Sequence, residues 1–151
     1  MGFLEDYFED REHGGLFHAL SEDFAAVRDS NKYAHEQFTA ARVSVIGAMI
    51  THEASAIEDA ENAVKKVMQR FEDTRHGGYF SVADRAWKII DARKNLVAIG
   101  ELFGVLMHLY EVSKNDAYLL KALDFIDIAL RDAWDMKWGG FFSWYILPSD
   151  I

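Results

Sequence analysis

Apolar residues at 57, 60, 64, 67, 68 and 71 recur at helical spacing, separated by Glu58, Asp59, Glu61, Asn62, Lys65, Lys66, Gln69 and Arg70. That pattern predicts an amphipathic helix over 57–71 with one wet face. Residues 117–133 behave alike, with Lys121, Asp124, Asp127 and Arg131 as the polar stripe. Two other segments lack such a stripe. Residues 96–110 carry only Glu101 and His108 as clearly polar side chains, and 33–50 turns apolar and small after Arg42. Helices apolar all round are buried on several sides. The chain therefore predicts two hairpins, each a buried helix followed by an amphipathic one. Residues 113–116 form one connecting turn, capped by Asn115 or Asp116, and 52–55 the other, with Ser55 as candidate cap. Pro148 is the single proline, so nothing else breaks long helices.

Between the helical stretches one loop motif recurs. Residues 8–17 read FEDREHGGLF, 71–80 read FEDTRHGGYF and 133–142 read AWDMKWGGFF. Gly14 to Gly77 is 63 positions and Gly77 to Gly139 is 62. Such a period marks an array of equivalent supersecondary units. The units span about 8–70 and 71–133, with a third loop over 134–146, all within a single domain covering 1–151. After each Gly-Gly pair comes a short β-prone piece, at 16–20, 79–82 and 141–145. Asp29-x-x-Lys32 and Asp91-x-x-Lys94 then lead into the buried helices, 62 positions apart.

Composition narrows the function. A formal charge of −9 repels nucleic-acid phosphate and anionic membranes. Zero cysteines exclude disulfides, thiolate metal sites and a cysteine nucleophile, which fits a cytoplasmic address. No signal-peptide pattern opens the chain. No apolar run is expected to approach the roughly 20 residues of a membrane span. His35-Glu36 and His52-Glu53 are followed at the required spacing by Thr39 and Ala56, so the His-Glu-x-x-His zinc pattern is absent and no metal is expected. The Gly-Gly pairs lack the flanking pattern of a phosphate cradle.

Buried helix beside exposed helix, joined through Asp-x-x-x-Gly-Gly loops, resembles the six-hairpin (α/α) toroids, and most closely the N-acylglucosamine 2-epimerase family. Toroids fused to a thioredoxin-like domain share the loop pattern. The resemblance covers nearly the whole chain, with 73–80, Lys94, 118–122 and 134–142 as its best stretch. It implies an all-α fold of antiparallel helical hairpins with short β-prone loops. About two hairpins of six are present, so a partial barrel is expected, completed by the remainder of a larger barrel or by a homo-oligomer. It further implies a small-molecule sugar partner and epimerisation or aldose–ketose isomerisation by proton transfer beside the sugar carbonyl. No cofactor is implied, because the carbonyl itself acidifies the neighbouring C–H. The alternative is a non-catalytic repeat module binding a saccharide or a protein.

In the resembling epimerases histidines near the barrel mouth act as general acid and base, and His35, opening a buried helix, is the catalytic candidate. Its structural alternative is a polar residue at a helix start. Lys32, Arg93 and Lys94 are candidates to polarise or bind the sugar, and Tyr79, Phe141 and Trp144 to platform it. The bland reading of Lys32 and Lys94 is solvated helix-entry lysines with Asp29 and Asp91 as caps. Glu101, on an otherwise apolar helix, is a further substrate-binding candidate and, if buried, needs a partner. His108 reads as a satisfied core histidine, and His13 and His76 as loop-bonding positions, because the third copy carries Trp138 there.

Overall fold

The helical periodicity is realised almost position for position. The computed structural model describes residues 3–146. Four long helices form two antiparallel hairpins: α2 (Ala34–Thr51) with α3 (Ala54–Phe71), and α4 (Leu96–Ser113) with α5 (Asp116–Ile128). A short α1 (Phe3–Tyr7) precedes them, and α5 ends in a π-helical turn, Ala129–Ala133. The inner helices α2 and α4 pack side by side, each backed by its outer partner. Phe38, Val45, Val64, Phe71, Leu102, Leu106, Leu109 and Phe125 fill the core between them.

Capping follows local chemistry. Asn95 opens α4 by accepting from the Val97 N–H at 2.7 Å, and Asn115 opens α5 by accepting from the Ala117 N–H at 3.0 Å. Both hairpin turns close with a left-handed residue, His52 and Lys114. Ser55 is not a cap: Glu53 holds that position without a side-chain bond, and Ser55 lies inside α3.

The all-α expectation needs correction. Among the described residues six short strands form two antiparallel sheets: β1 (Ala19–Leu20) with β2 (Val27–Asp29), and a four-stranded sheet in the order β3 (Lys32–Tyr33), β4 (Phe80–Ala83), β5 (Ile89–Asn95), β6 (Trp144–Tyr145). The segments connecting outer to inner helices are partly buried, so their backbone groups must pair. The second sheet links both inner-helix entries to the segment after the third loop, through Lys32↔Ala83, Phe80↔Lys94 and Lys94↔Tyr145. Residues 91–94 are therefore strand rather than helix entry.

Two flanks stay uncovered. Val43, Ile46 and Ile50 are exposed on α2, and Leu120, Leu123, Ile126 and Leu130 along α5 and its π-helical end. The expectation that α2 is buried on several sides thus fails on one flank, as expected of a partial barrel with open edges. The expectation that no apolar run reaches spanning length is also corrected. By length and composition α4 qualifies, with a mean hydropathy of 1.4 over 18 residues, although here it is a core helix packed on α2 and α5.

Candidate functional site

The three loops share one hydrogen-bond pattern. In each, the aspartate N–H donates to the second glycine's carbonyl and the first glycine's N–H returns to the aspartate carbonyl: Asp10 with Gly14 and Gly15, Asp73 with Gly77 and Gly78, Asp135 with Gly139 and Gly140. One aspartate oxygen also accepts the N–H groups two and three residues on. His13, His76 and Trp138 all donate through their backbone, which explains why the position takes either side chain. Every glycine in these pairs has positive φ, so the turn requires them.

The lysines carry the largest surprise. Lys32 and Lys94 are fully buried, not solvated. The Lys32 Nζ donates to Asp10 Oδ2 at 3.1 Å, and the Lys94 Nζ to Asp73 Oδ2 at 2.7 Å and to the Gly77 carbonyl at 2.6 Å. Each lysine thus pins its Gly-Gly loop to the strand entering an inner helix. Asp10 also receives Arg85, at 2.9 and 3.0 Å. That guanidinium, with Lys32 and the His13 N–H, holds the Asp10 carboxyl well below its usual range against the opposing effect of burial. Burial likewise pushes Asp73 up, but Lys94 and the N–H groups of His76 and Arg75 bring it down overall. Desolvation lowers Lys32, with Asp10 opposing. Asp10, Glu12 and His13 offer ligand atoms within 4.8 Å of one another, but Asp10 is already committed to two cations. Asp29 and Asp91 are not caps. Asp29 accepts from the Asn31 N–H and the Tyr33 hydroxyl, and Asp91 pairs with Arg93.

His35 sits where the sequence places it, in the first turn of α2, half exposed. It does not stand alone. Glu36 accepts from His18 Nδ1 at 2.7 Å and lies 3.9 Å from His35 Nε2. The His18 ring packs on Tyr33 at 4.2 Å between centroids, and Tyr33 stands 6.2 Å from His35. The Tyr33 hydroxyl donates to Asp29 Oδ2 at 3.2 Å; burial and Asp29 push its pKa up. One imidazole thus bonds the Glu36 carboxylate at the amino end of an inner helix, where the helix dipole favours that negative charge, and the His35 ring stands beside it beyond hydrogen-bond distance. Because a carboxylate only accepts, His18 is the donor in this bond, through Nδ1. Sequence reasoning missed His18, whose counterpart in the second unit is Ser81, so the repeat gave no signal for it.

The other candidates divide. Arg93 and Trp144 come together, the guanidinium 5.0 Å from the ring, and Asp91 holds the same guanidinium through Nε and Nη2. Glu101 has the partner it needs, Arg42 of α2 at 3.3 Å. Tyr79 is buried against Phe38 and Phe125, and burial raises its phenol well above the usual range. Phe141 is half exposed beside Trp134. His108 is not satisfied: its buried Nδ1 has no hydrogen-bond partner among the described residues.

Paired inner and outer helices with Gly-Gly joints define part of an (α/α) toroid. Over residues 1–145 the chain matches the model of the N-acylglucosamine 2-epimerase (GlcNAc 2-epimerase) family, and it belongs to that family. A sugar epimerase from a ruminal bacterium is similar at 17% identity and a TM-score of 0.77, over 95% of this chain and 36% of that one. Cellobiose 2-epimerase from Bacillus thermoamylovorans is similar at 16% identity and a TM-score of 0.73, over 89% and 37%. A glycoside hydrolase family 76 mannosidase from Bacteroides thetaiotaomicron shares the fold at 14% identity and a TM-score of 0.69, over 93% and 36%. The chain spans little more than a third of the length of each. No curated protein matches it.

Proposed function

We propose that this chain forms part of the mouth of a sugar epimerase or isomerase barrel, with His35 as acid/base beside the His18–Glu36 pair. The carrying observation is the hydrogen-bonded His18–Glu36 pair beside His35 at the entry of an inner helix. In this reading an imidazole nitrogen removes the proton beside the sugar carbonyl, and the C–H electrons move into the carbonyl to give an enediolate. Arg93, the exposed cation of the predicted set, stabilises that oxygen. Reprotonation on the opposite face yields the epimer; at the neighbouring carbon it yields the isomer. Lys32 and Lys94 have no surface with which to touch a sugar, so they act as positioning residues that fix the helix entries.

The remaining wall comes from further hairpins, of a larger barrel or of other copies. A ring of three copies would put the third loop of one and the first loop of the next at the same station, so one loop would have to move. The acidic, cysteine-free chain suits a cytoplasmic sugar enzyme. The test is proton NMR in D2O with the 151-residue chain and a panel of free and N-acetylated sugars, with molar mass measured by light scattering. Deuterium should enter at C2, and His35→Gln should abolish it while leaving the fold intact. No exchange by the unaltered chain at high concentration, or unchanged exchange in His35→Gln, overturns the proposal.

A further inference from the structure

A cleft of about 350 Å³ opens between the second Gly-Gly loop and the outer helix α5. The repeat shows what fills the equivalent place in the first unit. There the Trp87 ring lies so close to Gly15 that a Cβ on that glycine would fall 2.6 Å from it. The Trp87 Nε1 donates to the His13 carbonyl at 2.8 Å, and its ring packs on Phe71 at the end of α3. Trp87 occupies a left-handed position in the turn between β4 and β5, as Phe24 does one unit earlier between β1 and β2. The third counterpart in sequence is Ser149, which lies outside the described residues. At Gly78 the nearest atoms to a Cβ are Lys94 Cδ at 3.6 Å, Ile128 Cγ2 at 3.8 Å and Lys94 Nζ at 3.9 Å, so among the described residues no aromatic ring lies against this glycine as Trp87 lies against Gly15.

The open station differs in chemistry from the filled one. Trp87 has an apolar and cationic setting of Phe71, Arg70 and Lys32. The cleft is rimmed by Glu72, Lys121, Asp124, Asp127 and Arg131 over a floor of Tyr79 and Phe125. Tyr79, 1% exposed, contributes a buried hydroxyl with no hydrogen-bond partner among the described residues. Such a group is costly unless something bonds it. The π turn at Ala129–Ala133 breaks the helical register where Arg131 reaches the cleft, and π turns frequently mark functional sites.

We propose that this cleft is a saccharide subsite, separate from the His35 cluster, that takes one pyranose-sized polyol. A hydroxylated ring brings hydroxyls that can donate to the Asp124 and Asp127 carboxylates and accept from Lys121, Arg131 and the unpartnered Tyr79 phenol at the base of the cleft. Lys121 and Arg131 already pair with Glu72 and Asp132, but a purely apolar ring would leave the Tyr79 phenol unmatched. The proposal does not depend on catalysis at His35.

The test is an amide-NMR titration of the 151-residue chain with N-acetyl-D-glucosamine, D-mannose and, as the aromatic alternative, indole. Saturable shifts at Gly77 and Gly78 with at least one sugar, and none at Gly15 beneath Trp87, are expected. Tyr79→Phe should weaken the sugar about five-fold, and Asp127→Trp, at an exposed helix position, should fill the cleft and abolish the shifts. Still glycine amides with both sugars, shifts that survive Asp127→Trp, or a response to indole alone would overturn it. Because the readout is binding at the glycine amides, its failure leaves deuterium exchange at His35 as a separate result.

Discussion

The second and third loops share a motif and a hydrogen-bond pattern, yet one is buried and the other is not. Tyr79, after the second Gly-Gly pair, is almost wholly inaccessible, whereas Phe141, after the third, is 49% exposed. Asp73 is locked by a buried lysine; Asp135 has only backbone N–H partners among the described residues. Local sequence thus sets the turn, and the neighbouring inner-helix entry sets its stability. The first loop adds a third case, in which Arg85 doubles the cation on Asp10 and Trp87 seals the glycine face.

That comparison can be broken by substitution. Lys94→Met leaves a buried carboxylate without its cation and should lower the unfolding free energy by about 3–5 kcal/mol in urea titrations. Lys32→Met should cost less, because Arg85 stays on Asp10; equal losses would contradict the role given to Arg85. Trp87→Ala should cost about 2–4 kcal/mol and open beside Gly15 the space already present beside Gly78.

Acid should act through the same pairs. Asp10 and Asp73 ionise at lower pH in the fold than in the open chain. The stability they contribute is therefore whole above about pH 4 and is lost as pH falls toward their folded values. Asp73→Asn should flatten that low-pH arm of a stability–pH curve. Smallest of all, Asp135→Ala removes a turn acceptor on an exposed loop and should cost no more than about 1 kcal/mol.

Much of this architecture was legible because periodicity and repetition are direct physical signals. The 3.6-residue pattern marked α3 and α5, and the recurrent Asp-x-x-x-Gly-Gly marked the joints. The lysines were visible as a recurrence but misread, since lysine is rarely buried unless paired. Their partners lie 22 and 21 positions upstream, inside the loop motif itself. β5 was hidden because Asp91, Arg93 and Lys94 read as a solvated helix start, when strand pairing with β4 and β6 decides their conformation. His18 left no trace, because its place beside Glu36 depends on the β1–β2 excursion rather than on any spacing. Trp87 and Phe24 could have been matched through the repeat, but their turns differ in every neighbouring residue type.

Amide hydrogen exchange of the unaltered chain tests most directly whether neighbours, rather than local sequence, hold these joints. Gly14, Gly77 and Gly139 each donate the same intraloop hydrogen bond, at 2.6, 2.8 and 3.0 Å. Slow exchange at Gly14 and Gly77 with fast exchange at Gly139 is the predicted result; equal protection at all three would contradict the account.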